Sequence, residues 1–388
     1  MTININASPA PGSYVVEQLS GFIPAAISDH SCCYMLGTAT TGDLNVPVQI
    51  TSTDDFSNVF GTSPCLKHIK LFFDNDPLGR LFFCRIDATD INAPTQTECV
   101  DGIAATAFEP ELQPGFLIFP LAFETLDTIV ARNAVANEMR TIVEDADLQW
   151  VALIDAHSDV VDTTTATAEF TGVSSVRGHL AVFAPLLRNL NDEVVAPSPA
   201  VAATATLRYR EQGFYQPPAG IAYPLKGVAS LETKFTRGQQ EALNPLGINL
   251  IRQLPGKGIV IYGSRAKTND SLFLFINQRV IFNVINKTLR RALSEVVFYA
   301  VDGRGVLFTR VKETASQVMY RLWVAGALYG SDPNSAYLVV CDDTNNPAID
   351  LENGVVRVDV FATPSPTVER VLGTLTRVPI GSVILNLQ

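Results

Sequence analysis

The sequence has few of the residues that carry most acid–base and metal chemistry. Histidine occurs four times in 388 residues, and its last copy is His179. The six cysteines form no C-x-x-C pair, and beyond residue 179 the chain holds only Cys341. Zinc sites and histidine bases need these residue types in clusters. We therefore expect neither kind of site in the second half, and we expect the cysteines to be small buried apolar residues.

The chain also lacks a long apolar run and an excess of positive charge. No stretch approaches the roughly 20 apolar residues that cross a bilayer, and residues 1–6 lack the basic and apolar segments of a secretory signal. The net charge of −11 repels phosphate backbones. The composition therefore predicts no membrane insertion, no nucleic-acid partner, and a protein that is made and used in a cytoplasm or released by lysis.

Apolar residues are plentiful enough to fill a sizeable core. They make up 47% of the chain, against 17% charged residues, which is typical of a globular protein. The length suggests two or three domains of roughly 150 residues. Short β-prone segments alternate with segments of helical spacing, a pattern typical of α/β proteins. The predicted strands are 33–39, 81–86, 115–120, 150–155 and 179–185, and the predicted helices are 53–61, 68–74 and 125–142.

The last third has the clearest periodicity. After a predicted strand at 259–263, apolar residues recur at i, i+3 and i+4 over residues 276–300 and again over 306–328. This spacing predicts two long amphipathic helices. Further β-prone segments follow at 336–341, 355–361 and 368–378. The fold class that we predict is mixed α/β.

One segment holds the residue types of a nucleophilic site. His157 lies between Asp155, Ser158 and Asp159. A catalytic triad, however, brings its members together from distant segments, and the chain has no G-x-S-x-G elbow. A polar loop at the end of a strand is the better interpretation, with a catalytic site near His157 as the alternative.

Two loops and four cations complete the candidates. Residues 255–258 lack the spacing of a phosphate loop, which favours a tight turn. Residues 342–347 lack the glycine and glutamate of an EF-hand, which favours a solvated turn. The cations are either a solvated helix face or a docking patch for an acidic partner protein. They are Arg290, Arg291, Arg310 and Lys312.

The order of several short motifs resembles contractile phage tail sheath proteins. Residues 11–17 (PGSYVVE) resemble the family's opening, and residues 47–56 (PVQITSTDDF), followed by Phe60-Gly61, resemble its next motif. Further on come Phe72-Phe73 with 83–85 (FCR), 243–249 (LNPLGIN), 258–265 (GIVIYGSR), 323–330 (WVAGALYG) and 353–360. Tyr262 stands where tryptophan is usual and Gln18 where an acid is common, and residues 90–240 carry no family motif.

The resemblance implies an architecture of four parts. An outer variable α/β domain would span residues 21–250, and an inner α/β domain with the two long helices would span 251–365. Arms at 1–20 and 366–388 would each add a strand to a neighbouring subunit. The residues that we expect to link subunits are Tyr14, Val15, Val16, Val368, Val371, Leu372 and Leu375.

The resemblance also implies a structural function and no enzymatic one, with no catalytic, cofactor-binding or metal residues. The expected role is a virion tail sheath subunit, assembled in the host cytoplasm, that forms a helical homo-oligomer around a tail tube and contracts. The expected partners are the tube, baseplate and tail terminator proteins, with Arg290, Arg291, Arg310 and Lys312 contacting the tube. A different virion component, such as a baseplate or capsid protein, and an α/β enzyme remain as alternatives.

Overall fold

The computed structural model of the chain describes residues 27–370. The strands are β1 (Cys32–Gly37), β2 (Val48–Ile50), β3 (Arg80–Arg85), β4 (Gly115–Ile118), β5 (Val151–Asp155), β6 (Leu180–Ala184), β7 (Leu187–Asn189), β8 (Val194–Val195), β9 (Val228–Leu231), β10 (Ile248–Leu254), β11 (Gly258–Ile261), β12 (Tyr337–Val340) and β13 (Asp359–Ala362). The helices are α1 (Thr53–Phe60), α2 (Leu66–Asn75), α3 (Gln96–Ala105), α4 (Pro120–Thr125), α5 (Ile129–Val143), α6 (Thr163–Glu169), α7 (Ser198–Gln212), α8 (Arg237–Leu243), α9 (Ile276–Leu293), α10 (Val306–Val324), α11 (Pro333–Ala336) and α12 (Ala348–Glu352).

An eight-stranded sheet organises most of these residues. Its strand order is β11-β10-β6-β5-β4-β1-β3-β2, and only the two outermost strands run antiparallel to their neighbours. β1 lies between β3 and β4, so the chain winds outward from the middle in both directions. Every residue of β1, β4, β5 and β6 is buried, as expected for parallel strands covered on both faces. The predicted mixed α/β class is confirmed.

The predicted domain boundary between residues 250 and 251 falls inside β10. This strand pairs with β6 through residues 248–250 and with β11 through residues 251–254. The main apolar cluster also continues past the boundary, from Cys32 to Val280, and a second cluster begins at Ile281. The change from one core to the other therefore occurs within α9. The four-part division of the chain stays a prediction.

The second cluster is built on the two long helices. α9 packs against α10, and the two-stranded sheet β12-β13 covers α10. Both helices are shorter than their apolar spacing predicts. α9 ends at Leu293 instead of residue 300, and α10 ends at Val324 instead of residue 328. The spacing continues beyond each end because the residues that follow are apolar as well.

Several elements have no counterpart in our sequence-based predictions. α3 begins with a capping box, in which Thr95 and Glu98 bond each other's backbone N–H groups. The T-x-x-E spacing of these residues could have predicted the start of this helix from the sequence. The small sheet β8-β7-β9 is built of strands of two to four residues. Such strands are too short for an alternating pattern to be visible.

The cysteine and loop predictions are confirmed. All six cysteines are buried and none is in a disulfide. Residues 255–258 form the tight turn between β10 and β11, closed by a bond from Lys257 N to Leu254 O. In the turn after β12, Thr344 donates to Asp342, and Asn345 donates to the backbone. No helix within residues 27–370 has the length and apolar character of a membrane span.

Candidate interaction surfaces

The segment around His157 does not form a triad. Asp159 lies 3.0 Å from Nδ1 of His157, and Ser158 Oγ lies 3.5 Å from the same nitrogen. A triad needs the nucleophile and the orienting carboxylate on opposite nitrogens of the histidine ring. Asp155 points elsewhere and accepts bonds from the N–H and hydroxyl of Ser198. His157, Ser158 and Asp159 form a polar loop after β5, as the loop interpretation predicts, and Asp155 is the buried last residue of that strand.

Ionisable groups are nevertheless buried next to the main sheet. Burial raises the pKa of Asp155 to about 7, although its bonds to Ser198 act in the opposite direction. Burial opposes the charge on His68, but the carboxylate of Glu124 at 2.7 Å overcomes this effect and raises the pKa of His68 to about 9. Glu124 also pairs with Lys67 at 2.7 Å and accepts from Ala196 N. These bonds join α2, α4 and the start of α7, so the groups tie the fold together.

Segments near both ends of the described chain lie against the second cluster. Ile27 packs on that cluster, and Ser28 N donates to Thr288 Oγ1 of α9 at 3.0 Å. At the other end, Pro364 bridges to Leu328, and Ser365 N donates to Ala327 O. Residue 27 therefore lies near α9, whereas the chain beyond Ser365 continues to Arg265 beside the main sheet.

The β12-β13 sheet has an apolar surface that residues 27–370 leave exposed. Val339 and Val360 face the second cluster. Their neighbours Leu338 and Phe361 are paired across the strands on the opposite face, where they are 56% and 59% exposed. Within residues 27–370 the sheet has only two strands, so each has one edge without a neighbouring strand. Small sheets of this kind gain stability from added strands.

A second apolar surface lies in the connection between α9 and α10. Val297, Phe298, Tyr299 and Val301 are all at least 41% exposed, and Phe298 is fully so. They line an open groove of about 520 Å³ together with residues of α10 and residues 354–358. Our sequence analysis missed this surface because it placed residues 296–300 on the buried face of a helix. The nearby glycines 303 and 305 were the signal for a loop.

The four cations proposed for tube contact do not share one surface. Arg290 pairs with Asp147, and Arg310 lies 4.6 Å from the ring centre of Tyr299. Arg310 and Lys312 are two residues apart on one helix, so they point about 200° apart. The charge of Lys312 contributes to a lowered pKa at Asp342, after the bonds from Thr344. Their role in tube contact stays a prediction.

The predicted linking residues are mostly outside the described chain. Tyr14, Val15, Val16, Val371, Leu372 and Leu375 lie outside residues 27–370. Val368 is described, and its side chain is 76% exposed. Its exposure leaves the side chain available to a partner. The part of Val368 in joining subunits stays a prediction.

Comparison with known proteins identifies sheath proteins as similar. No family model matches the chain. A stretch of 155 residues, 39% of this chain, is 29% identical to the tail sheath protein of Vibrio phage KVP40 (isolate Vibrio parahaemolyticus/Japan/Matsuzaki/1991). The match spans about a fifth of the length of that relative, 22%.

Solved structures are similar over nearly the whole chain. The anti-feeding prophage helical sheath in its contracted state matches with a TM-score of 0.74 and 22% identity, over 95% of this chain and 99% of that one. The PVC sheath complex of an extracellular contractile injection system, also contracted, matches with a TM-score of 0.74 and 18% identity, over 95% and 98%. The chain therefore has the fold of contractile sheath proteins, and its resemblance to the tail sheath family is confirmed.

Proposed function

We propose that this chain is a structural subunit of a contractile tail sheath, which polymerises helically around a tail tube and contracts to drive the tube through a host envelope. One observation carries the proposal: the similarity to sheath structures covers 95% of the chain, so it is not confined to one part of the fold. The 29% identity to a phage tail sheath protein points in the same direction.

The proposed mechanism is mechanical. Subunits assemble into an extended lattice, and a trigger at the baseplate lets them rotate and repack. The terminal arms keep neighbours joined by adding strands to each other's sheets, which is strand augmentation. The open edges of β12 and β13, and the position of Ile27 and Pro364 against the second cluster, support this role. Repeated contacts between different surfaces of identical subunits generate helical tubes.

The partners follow from this role. They are further copies of the same chain, a tail tube protein, and the baseplate and tail terminator proteins at the two ends. We place the subunit in the tail of a phage or a phage-derived particle, assembled in the host cytoplasm. Tube contact through Arg290, Arg291, Arg310 and Lys312 is part of the proposal. Replacing all four with alanine should weaken tube binding, and unchanged binding would reject that assignment.

Negative-stain electron microscopy tests the proposal directly. The full chain should form hollow helical tubes, and a chain that ends at Arg370 should stay unassembled with an unchanged circular dichroism spectrum. A matched control replaces residues 371–388 with a Gly/Ser segment of equal length, which separates the effect of sequence from that of length. Monomers of the full chain at high concentration, or tubes from the Gly/Ser variant, would contradict a sheath joined by its C-terminal arm.

A further inference from the structure

Residues 363–369 cross from the second cluster back to the main sheet. Thr363 O accepts from Tyr329 N at 2.8 Å, and Ser365 bonds Ala327 O and Gly326 O. These bonds hold the start of the segment against the end of α10. The segment then leaves that helix and passes the first turn of α9, where the chain changes from one apolar core to the other.

The middle of the segment is bonded to a buried side chain. Asn277, in the first turn of α9, is 1% exposed. Its Nδ2 donates to Ser365 O at 3.0 Å, and its Oδ1 accepts from Thr367 Oγ1 at 2.6 Å. Because Asn277 is buried, its amide has no access to water as a substitute partner. These two bonds therefore fix the path of the segment over α9.

The end of the segment is held by an ion pair. Glu369 accepts two bonds from the fork of the Arg265 guanidinium, at 3.1 and 2.6 Å, and Asn244 lies within 3.4 Å of the same carboxylate. The two charged side chains are 14% and 18% exposed. Arg265 is itself fixed to the main sheet, because its N–H and C=O are bonded to the side chain of Asn249 in β10.

The C-terminal end of residues 363–369 is held by polar contacts alone. The neighbouring Val368 is 76% exposed and buries little apolar area. A two-bond ion pair between partly buried groups is geometrically specific, yet it can be broken without opening a core. A contact that must form specifically and also release needs both of these properties.

We propose that residues 364–369 form a strap with two states, closed and open, and that the Arg265–Glu369 pair is its latch. Opening the latch and the Asn277 bonds releases residues 366–369, while the bonds of Ser365 still hold the start of the strap, and four extended residues lengthen the reach of the C-terminal arm by about 14 Å. The inference rests on the proposed function, because such slack lets a strand-exchanged arm stay attached while subunits move apart or rotate. In the closed state the arm begins after Glu369 instead of at residue 366.

Trypsin can report the state of the strap. Arg370 follows the latch directly, and Arg377 lies farther along the same arm. Proteases need a locally opened segment on both sides of the cleaved bond. In the unassembled full chain, cleavage after Arg370 should therefore be slow relative to cleavage after Arg377, and the ratio of the two rates should measure latch opening.

The decisive variant is Arg265→Gln, which leaves the cleaved sequence unchanged. It should raise the cleavage ratio about tenfold, as expected for the loss of charge-assisted hydrogen bonds. Arg265→Lys keeps the charge but not the fork, and should give a smaller rise. Arg237→Gln, which removes the exposed pair with Glu241, is the matched control and should leave the ratio unchanged. A ratio for Arg265→Gln within twofold of the original would overturn the strap.

A second variant covers the case in which Arg265→Gln does not fold. Glu369→Gln removes the other half of the latch, and its cleavage rate is divided by that of a synthetic peptide of residues 363–377 with the same change. The normalised ratio should again rise about tenfold, and no rise would reject the latch. Microscopy separates this inference from the proposed function. Tubes with an unchanged ratio reject only the strap, and a raised ratio without tubes from the full chain rejects only the sheath.

Discussion

The main apolar cluster and the smaller clusters around α9 and α10 differ in how completely they are covered. Around the main sheet, large side chains such as Phe83 and Trp150 are fully buried, and charged ones such as Arg132 have buried partners. Around α9 and α10, Leu338, Phe361 and Phe298 are more than half exposed. Exposed apolar patches of this kind mark interaction sites. Within residues 27–370, the core around the main sheet is therefore the more completely covered, and the region around α9 and α10 carries exposed apolar surfaces.

The largest expected effect is on a buried ion pair around the main sheet. Arg132 forms two bonds with Glu169 and a third with Leu126 O, and both charged side chains are at most 2% exposed. Arg132→Ala leaves the Glu169 carboxylate buried without its partner, which should lower the free energy of unfolding by about 5 kcal/mol. Urea denaturation measures the change. Arg237→Ala, at an exposed pair, should cost less than about 1 kcal/mol.

The next effect compares one phenylalanine from each region. Phe83 contacts the rings of Phe56 and Phe60 at 4.8 Å and is fully buried. Phe83→Ala should lower the free energy of unfolding by about 3–4 kcal/mol. Phe361→Ala should cost less than about 1 kcal/mol in the monomer, because its side chain is mostly in water, but should reduce tube formation. Equal losses of stability at both positions would remove the distinction between the regions.

A smaller effect should appear in the pH dependence of the region around the main sheet. The pKa of His68 is raised from 6.5 to about 9 in the folded protein. Its stabilising contribution is therefore complete below pH 6.5 and is lost as the pH rises through 9. The raised pKa of Asp155, about 7, acts in the same direction at lower pH. Unfolding free energies measured from pH 6.5 to 8, below the range in which thiols exposed by unfolding ionise, should fall by up to about 2 kcal/mol.

His68→Gln provides the control for this pH dependence. Glutamine can still donate a hydrogen bond to Glu124 but does not titrate, so the fall in stability between pH 6.5 and 8 should largely disappear. The lowered pKa of Glu124 acts only in acid, where its contribution is lost as the pH falls. A variant with the same alkaline slope as the original chain would show that another group is responsible.

The smallest expected effect on stability is at the exposed loop of the second region. Phe298 is fully exposed and has a positive φ of 69°, which non-glycine residues rarely adopt. Phe298→Gly should raise the unfolding free energy or leave it unchanged, within about 1 kcal/mol. Its effect should appear in assembly, as fewer or shorter tubes in electron micrographs. A large loss of monomer stability would show that the loop belongs to the core.

The sequence-based predictions succeeded where a property depends on a local pattern. The parallel strands were found because strands buried on both faces are short apolar runs between turn signals, as in 150–155. The tube-contact residues stay a prediction. The four cations were grouped by their charge, but Arg290 pairs with Asp147 and Arg310 with the ring of Tyr299. Charge in a sequence does not reveal which partner a side chain meets.

The sequence by itself determined the α/β class, the burial of the cysteines, the two long helices and the resemblance to sheath proteins. These properties depend on local periodicity or on short ordered motifs. Only the tertiary structure decided that β10 joins the main sheet across the predicted boundary, that α9 links two cores, and that Glu369 meets Arg265. Such contacts join residues far apart in the chain, and they depend on how the elements pack, which no local pattern specifies.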